Sequence, residues 1–217
     1  MLSVGPTFYS AADARAEAGL VGPNAVIQLG AALRATPGAI DLAERVFAGA
    51  GFVRLLHHPP DTMIDEAVPA RLFEALWREL PAEQATRVAH DAGCRTGAYV
   101  LANRIPKAAQ LALRSLPARF AALLLLKAIR RNAWTFAGSG VCRIAPGRPA
   151  VVTISHNPLA MPGCVWHIGV FECLFRAMVS QWTQVRHVEC DTNGAPVCRF
   201  EIEVPPAGRR ADASVRH

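Results

Sequence analysis

The sequence contains few charged residues and almost no lysine. Asp, Glu, Lys and Arg make up 18% of the 217 residues, whereas about a quarter is usual for a soluble domain. Lysine occurs only at Lys107 and Lys127, and no block of basic residues is interleaved with aromatic ones. Because nucleic-acid binding needs a basic surface against the phosphates, this composition argues against that class of function.

Long apolar runs are also missing, although apolar residues account for 52% of the chain. The longest uninterrupted run is residues 120–126, and a bilayer-spanning helix needs about twenty such residues. Residues 1–22 lack the basic start, apolar stretch and cleavage site of a secretory signal. We therefore expect no transmembrane segment and a cytoplasmic location, with peripheral attachment to a membrane as a further option.

Motifs for disulfide, iron–sulfur and dinucleotide chemistry are absent as well. The six cysteines include no CxxC pair, and their spacings match no ferredoxin run. A disulfide is disfavoured in a reducing compartment. The Gly138-Ser139-Gly140 segment follows a predicted helix and lacks the third glycine of the dinucleotide fingerprint. We expect no catalytic constellation.

Hydrophobic periodicity and turn residues predict an α+β fold, with an antiparallel sheet packed against helices. The predicted strands form two hairpins, separated by a helix over residues 164–181. The strands are residues 141–145, 150–155, 184–190 and 197–204. Further helices are predicted before them, at residues 24–35, 39–48, 65–80, 81–104, from 106 and at 118–136.

Two of these helices carry unusual patterns. The helix over residues 118–136 is apolar nearly all round, so we expect it to be buried. Gly93 and Gly97 lie one turn apart within the helix over residues 81–104. Interior glycines destabilise a helix by about 1 kcal/mol each relative to alanine, so close approach of another helix or of a ligand should offset them. His90 and Cys94 share this face, and we expect both to pack in the core.

Four candidate zinc ligands lie near the C-terminus. Cys164 begins a helix, Cys190 and Cys198 flank a hairpin turn, and His187 precedes Cys190 by three residues. Structural zinc prefers four N or S ligands in a tetrahedron. Side chains three apart on a regular strand point to opposite faces, so His187 can join only if the strand bulges, twists or ends near Glu189. Glu189 is a substitute ligand, and a set of buried reduced cysteines is the alternative to a metal site.

The C-terminal segment resembles the 4-vinyl reductase domain family. The resemblance rests on Pro162-Gly-Cys-Val-Trp-His-Ile-Gly169, His187-Val-Glu-Cys190, Asn193-Gly194 and Cys198-Arg-Phe200. With residues 22–30, the whole chain is similar to the members that act in bacteriochlorophyll synthesis.

The resemblance implies an antiparallel sheet, a homodimer, and kinship with the ligand-sensing domains of aromatic-responsive activators and with vesicle-tethering subunits. It also implies zinc bound by three cysteines and an acidic residue. These positions fall on Cys164, Cys190 and Cys198, while His187 replaces the acidic residue.

Within this family we favour a tetrapyrrole-binding protein of bacteriochlorophyll synthesis, a carrier or accessory to the pathway enzymes, because the composition is apolar and no catalytic residues are apparent. The family name itself favours a reductase. Its ligand would be a pigment of the divinyl chlorophyllide type. A pigment propionate requires cations, and the candidates are Arg130, Arg131, Arg143 and Arg176. The alternative is a reductase of the 8-vinyl group, formerly numbered 4-vinyl. A ligand-gated scaffold that binds no tetrapyrrole is a third option.

We expect a single ligand-binding domain at residues 23–205, whose C-terminal module begins at about residue 138. An N-terminal extension (1–22) would precede it, and a disordered basic tail (206–217) would follow.

Overall fold

The computed structural model describes residues 19–37 and 41–205. The predicted basic tail and most of the predicted N-terminal extension lie outside the described residues.

Helices dominate the first two thirds of the described chain. Pro81, Pro106 and Pro117 each immediately precede a helix, as expected for a residue with a fixed φ and no amide hydrogen. The segment after Phe52 forms a short helix that the sequence did not predict. The helices are α1 (Asn24–Arg34), α2 (Leu42–Gly49), α3 (Val53–His57), α4 (Ala67–Glu79), α5 (Ala82–Asn103), α6 (Lys107–Ser115), α7 (Ala118–Arg131), α8 (Trp134–Ala137) and α9 (Val165–Met178).

Two antiparallel sheets accompany the helices, which confirms the α+β class. Strands β1 (Leu20–Val21) and β2 (Ile64–Asp65) form a small pair. The main sheet has the order β3-β4-β6-β5 and consists of β3 (Val141–Ala145), β4 (Ala150–Ser155), β5 (Gln184–Glu189) and β6 (Val197–Glu203). The two predicted hairpins are joined because β4 pairs with β6, with Ile154 opposite Cys198.

Helices α5 and α9 approach so closely that their backbones touch. A Cβ atom added to Gly93 would overlap the carbonyl oxygen of Trp166, and one added to Gly169 would overlap that of His90. One added to Gly97 would lie 2.7 Å from the Cβ of Cys173. The predicted close approach at Gly93 and Gly97 is thus confirmed, and the approaching element is a helix.

The predicted burial of the helix over residues 118–136 is wrong. The helix ends at Arg131, α8 follows as a separate turn, and only one side of α7 is covered. Ala121 and Leu125 are buried, whereas Phe120 is 45% exposed and Leu124 is 48% exposed. Seven consecutive apolar residues span nearly two turns, so some of them must face outward when the helix packs on one side only.

We predict that Gly93→Ala destabilises the protein by about 1–3 kcal/mol, the usual range for an overpacked core. The added methyl group must push α9 away from α5. The free energy of unfolding from a urea titration measures the effect. Gly49→Ala is the matched control: its Cβ meets no atom nearer than 3.8 Å, so it should be neutral or stabilising. Equal effects of the two variants would contradict the tight helix contact.

Candidate metal centre and ligand cleft

The structure brings the four predicted ligands together. One ligand atom from each of Cys164, His187, Cys190 and Cys198 lies within 4.8 Å of all the others. The Sγ of Cys164 lies 3.4 Å from that of Cys198 and 3.8 Å from that of Cys190. A tetrahedron with metal–sulfur bonds of about 2.3 Å has sulfur–sulfur edges of about 3.8 Å. The cluster therefore has the size of a tetrahedral Cys₃His site, and all six cysteines are free thiols.

A tight turn before α9 positions Cys164. Gly163 has a φ of 68° and Cys164 a φ of 45°, and the Cys164 amide donates to the Met161 carbonyl at 2.8 Å. A left-handed backbone is unfavourable for a residue with a side chain, and such strain concentrates at functional sites. This turn directs the Cys164 sulfur towards β6.

An irregularity in β5 brings His187 to the same side as Cys190. The pairing of β5 with β6 shifts register between His187 and Glu189, which marks a β-bulge, and β5 ends at Glu189. This bulge is the departure from regular strand geometry that allows His187 and Cys190 to lie on the same side. The His187 ring also lies over Phe200, with 5.0 Å between the ring centroids, so packing fixes its orientation.

The Cys164 thiol donates a hydrogen bond to the Cys198 sulfur. A hydrogen bond to Cys198, followed by burial, raises the pKa of Cys164. The same hydrogen bond lowers the pKa of Cys198. The pair therefore holds a proton between two sulfurs, and a metal ion would displace that proton and neutralise the thiolates.

Polar side chains that the sequence interpretation missed surround the sulfurs. The Asn157 amide donates to the Cys164 sulfur at 3.9 Å, and the Thr192 hydroxyl lies 2.9 Å from the Cys190 sulfur. Hydrogen bonds of this kind orient and stabilise thiolate ligands. Thr192 could have been found from its place in the turn after Cys190, whereas Asn157 carried no local signal.

Two further observations bear on the fourth ligand. The Nε2 atom of His187 is buried without a hydrogen-bond partner among the described residues, which a metal bond would remedy. Glu189 instead pairs with Arg199 at 3.3 Å. The donor set therefore fits Cys₃His better than a set containing Glu189.

The four arginines predicted to bind a ligand differ in their surroundings. Arg130, Arg131 and Arg143 are exposed, on the last turn of α7 and on the outer strand β3. Arg176 donates to the Glu172 carboxylate at 2.9 Å and to the Thr183 carbonyl at 3.0 Å. Arg176 thus links α9 to the segment that precedes β5.

A cleft of about 250 Å³ lies between α7, the β3–β4 turn and the end of β6. Its apolar walls include Ala122, Leu126 and Ile202, and its charged lining residues are Arg119, Arg148 and Glu203. Ile202 lies four residues along β6 from Cys198, or about 14 Å in an extended strand. The cleft is therefore distinct from the sulfur cluster, and neither of its arginines was a sequence candidate.

A second polar cluster joins α5 to α9 beside the glycine contact. His90 Nε2 lies 3.3 Å from the Glu172 carboxylate, and His90 Nδ1 lies 3.7 Å from the Cys94 sulfur. Hydrogen bonds with Cys94 and then with Glu172, whose carboxylate accepts, raise the pKa of His90 to about 10. His90 and Cys94 are only partly buried, so they form a polar link at the edge of the helix contact.

We predict that His187→Gln and Cys190→Ser each abolish stoichiometric metal binding, because each removes one ligand of a four-coordinate site. Glu189→Gln should retain about one metal ion per chain. Metal content after gel filtration, measured by inductively coupled plasma mass spectrometry, is the readout. We also expect the two ligand variants to lose solubility, since metal binding contributes to the free energy of folding.

Cys142→Ser is the control for the loss of a largely buried thiol, whose pKa is raised to about 11 by burial. It should keep its metal. Metal loss in Glu189→Gln but not in His187→Gln would assign the fourth position to Glu189, and full metal content in Cys190→Ser would exclude that cysteine.

We predict that Glu172→Gln lowers the pKa of His90 and destabilises the protein. The pKa of Glu172 is itself lowered in the fold, against burial, by His90 and then Arg176. Glu172 contributes its full share of the stability above its ordinary pKa of 4.5. His90 contributes its full share below its ordinary pKa of 6.5. The destabilisation should therefore be largest between about pH 4.5 and 6.5 and decline towards pH 10.

Imidazole NMR signals against pH, with His90→Gln to identify the resonance, measure this pKa, and urea titrations measure the stability. Glu83→Gln is the control, because Glu83 also pairs across one turn of α5 but is exposed. An unchanged His90 pKa in Glu172→Gln would show that the contact is not an ion pair in solution.

Comparison with known proteins finds two close relatives and no matching family of conserved domains. The chain is 43% identical over 197 residues to the bacteriochlorophyll synthase 23 kDa chain of Cereibacter sphaeroides, covering 87% of this chain and 92% of the relative. It is 36% identical over 196 residues to the protein of the same name from Rhodobacter capsulatus, covering 88% and 89%. The chain therefore belongs to the family of bacteriochlorophyll synthase 23 kDa chains.

Proposed function

We propose that the protein binds a tetrapyrrole intermediate of bacteriochlorophyll synthesis and acts as a carrier or accessory to the pathway enzymes. The observation that carries this proposal is the apolar cleft with Arg119 and Arg148, in a chain whose relatives are named for bacteriochlorophyll synthase. The resemblance to the 4-vinyl reductase domain family supports the same class of ligand. The names of the relatives also support a partner among the enzymes of that pathway.

The cleft suits one edge of a pigment of the divinyl chlorophyllide type. Its volume of about 250 Å³ falls just below the range of about 300–1,000 Å³ that is typical of ligand pockets. The cleft would therefore hold part of a macrocycle and leave the rest exposed. A guanidinium group is well matched to a propionate carboxylate, so Arg119 and Arg148 replace the earlier candidates as the preferred cations.

We propose that the ion of the Cys₃His site is zinc and that its role is structural. Four protein ligands leave no open position for a substrate, and zinc has no redox chemistry of its own. The ion would tie the start of α9 to β5 and β6, and so hold the sheet that forms one wall of the cleft. Cysteine ligands must stay reduced, which favours a cytoplasmic location.

Reduction of the 8-vinyl group by this protein is the second candidate. The resemblance to the 4-vinyl reductase domain family favours it. Vinyl reduction requires a hydride or electron donor, and the described residues contain no nucleotide-binding loop of the dinucleotide type. The cleft has apolar walls with Arg119, Arg148 and Glu203, groups that can hold a ligand but that supply no hydride.

We predict that the purified protein shifts the Soret band of divinyl chlorophyllide without reducing its vinyl group, with or without a nicotinamide donor. Arg119→Gln combined with Arg148→Gln should weaken binding about tenfold or more, because hydrogen bonds to charged groups contribute about 1.5–3 kcal/mol each. Absorption titration gives the affinity, and chromatography with mass spectrometry detects reduced product.

Arg87→Gln, which removes an exposed arginine from α5, is the control and should bind like the wild type. Reduced product from the pure protein would replace the carrier function by the reductase. Unchanged affinity in the double arginine variant would move the binding site away from the cleft.

A further inference from the structure

The exposed apolar side chains of the described residues are concentrated on the α6–α7 segment, residues 107–131. Eight large apolar residues are exposed in the described chain, and four of them lie between residues 111 and 124. These are Leu111 at 70% exposure, Leu116 at 38%, Phe120 at 45% and Leu124 at 48%. Single exposed apolar residues are normal, but a concentration of this kind marks an interaction surface.

Helix α6 packs Leu113 partly against the core, but two of its neighbouring residues depart from the polarity expected against water. Its one fully buried residue is Gln110, whose amide donates to the carbonyl oxygens of Leu101 and Ile105 at 2.5 and 2.8 Å. The next residue, Leu111, points outward and is the most exposed large apolar residue described. Arg114 holds the helix in place by donating to the Ala177 carbonyl at 2.9 Å. The helix is thus anchored by polar groups and presents leucine to its surroundings.

The exposed side of helix α7 is apolar in its first half and basic in its second half. Phe120 and Leu124 lie one turn apart, and Lys127 and Arg131 continue the same stripe at helical spacing. All four side chains are exposed, while Ala121, Leu125 and Ile129 face the core. The guanidinium of Arg119 lies over the Phe120 ring at 4.5 Å, so a cation also borders the apolar half.

The charge within the α6–α7 segment has one sign, although Glu203 of β6 lies beside α7 at the cleft. Residues 92–171 contain no Asp or Glu and ten Lys and Arg residues. Within the described chain, none of the six cations of the α6–α7 segment forms an ion pair; they are Lys107, Arg114, Arg119, Lys127, Arg130 and Arg131. A segment with exposed leucine and phenylalanine, and with only cations among its own charged side chains, is complementary to an anionic apolar partner.

We propose that the α6–α7 segment docks on the surface of a bilayer that contains anionic phospholipids. Amphipathic helices bind in this way by placing apolar side chains below the headgroups and cations against the phosphates. A second copy of this chain fits the surface less well, because its cations would face these cations. No helix of residues 19–37 or 41–205 combines the length and hydropathy needed to cross a bilayer, so the contact would be peripheral.

The docking surface and the cleft share a helix. Arg119, Ala122 and Leu126 of α7 line the cleft, and Phe120 and Leu124 lie on the exposed side of the same helix. Docking would place the cleft close to the lipid, where an apolar pigment partitions. This link to pigment rests on the proposed function, whereas the docking itself does not.

The experiment is flotation of the purified full-length protein with vesicles of phosphatidylcholine alone or mixed with phosphatidylglycerol. We expect binding to the mixed vesicles, weaker binding to phosphatidylcholine, and release as salt rises from 0.1 to 0.5 M. Lys127→Gln with Arg131→Gln should lower the partition coefficient about tenfold or more, since each cation near such a surface contributes about 1 kcal/mol. Phe120→Ser with Leu124→Ser should lower it by a similar factor.

Trp182→Ser with Val188→Ser is the matched control. These two residues are 46% and 44% exposed but lie outside the α6–α7 segment, so their loss should not change vesicle binding. Circular dichroism melts establish that every variant is folded. No pigment is present, so the outcome is independent of the pigment titration described above.

Four results would overturn the proposal. Wild-type protein could stay unbound with the mixed vesicles, or bind both vesicle types equally at every salt concentration. The control variant could lose as much binding as the Phe120 and Leu124 variant. Finally, sedimentation could show a dimer that Phe120→Ser with Leu124→Ser dissociates, without vesicle binding, which would make this surface a protein interface.

Discussion

The contact between α5 and α9 is the constraint on which the other features depend. Gly93 and Gly169 allow the two backbones to touch, and this brings His90 within reach of Glu172. The same contact sets the position of the start of α9, where Cys164 lies. A side chain at either glycine would move α9 as a unit, and with it one corner of the sulfur cluster. Helix packing and the geometry of the Cys/His cluster are thus two results of one close approach.

The sulfur cluster and the cleft lie at opposite ends of β6. Cys198 lies near the start of this strand, beside the thiols and the imidazole, whereas Ile202 lies near its end, beside the cleft. The cluster end is closed and rigid, since Cys164 and Cys198 are fully buried. The cleft end is bordered by α7, which is covered on one side only. This division suits a protein in which one site maintains the shape of the other.

Local sequence signals predicted the strands and the ligand types well. Pro146-Gly147-Arg148-Pro149 marks a turn, and the strands on either side have the predicted bounds. The four residues of the cluster were singled out because cysteines at a helix start and around a hairpin turn, with a histidine nearby, are typical of a structural metal site. From the sequence, a bulge near His187 could only be named as one way for His187 to reach the three cysteines. Whether a strand has a bulge depends on its pairing with a distant strand.

Other features depend on tertiary contacts that no local pattern records. Where all positions of a helix are apolar, periodicity cannot say which side is covered, and for this reason the exposure of Leu124 was missed. Arg119 and Arg148 are far apart in sequence and meet only because α7 lies against the β3–β4 turn. The fold class, in contrast, follows from the order of helices and strands along the chain. Each of these elements can be recognised from its own local sequence pattern.

The bulge in β5 also affects how the sheet ends. Strand β5 is an outer strand of the main sheet, and a regular outer strand presents a row of unpaired amide and carbonyl groups to which another chain can add. The shift in register between His187 and Glu189 interrupts that row. The irregularity that turns an imidazole towards three sulfurs therefore also protects this border of the sheet against aggregation.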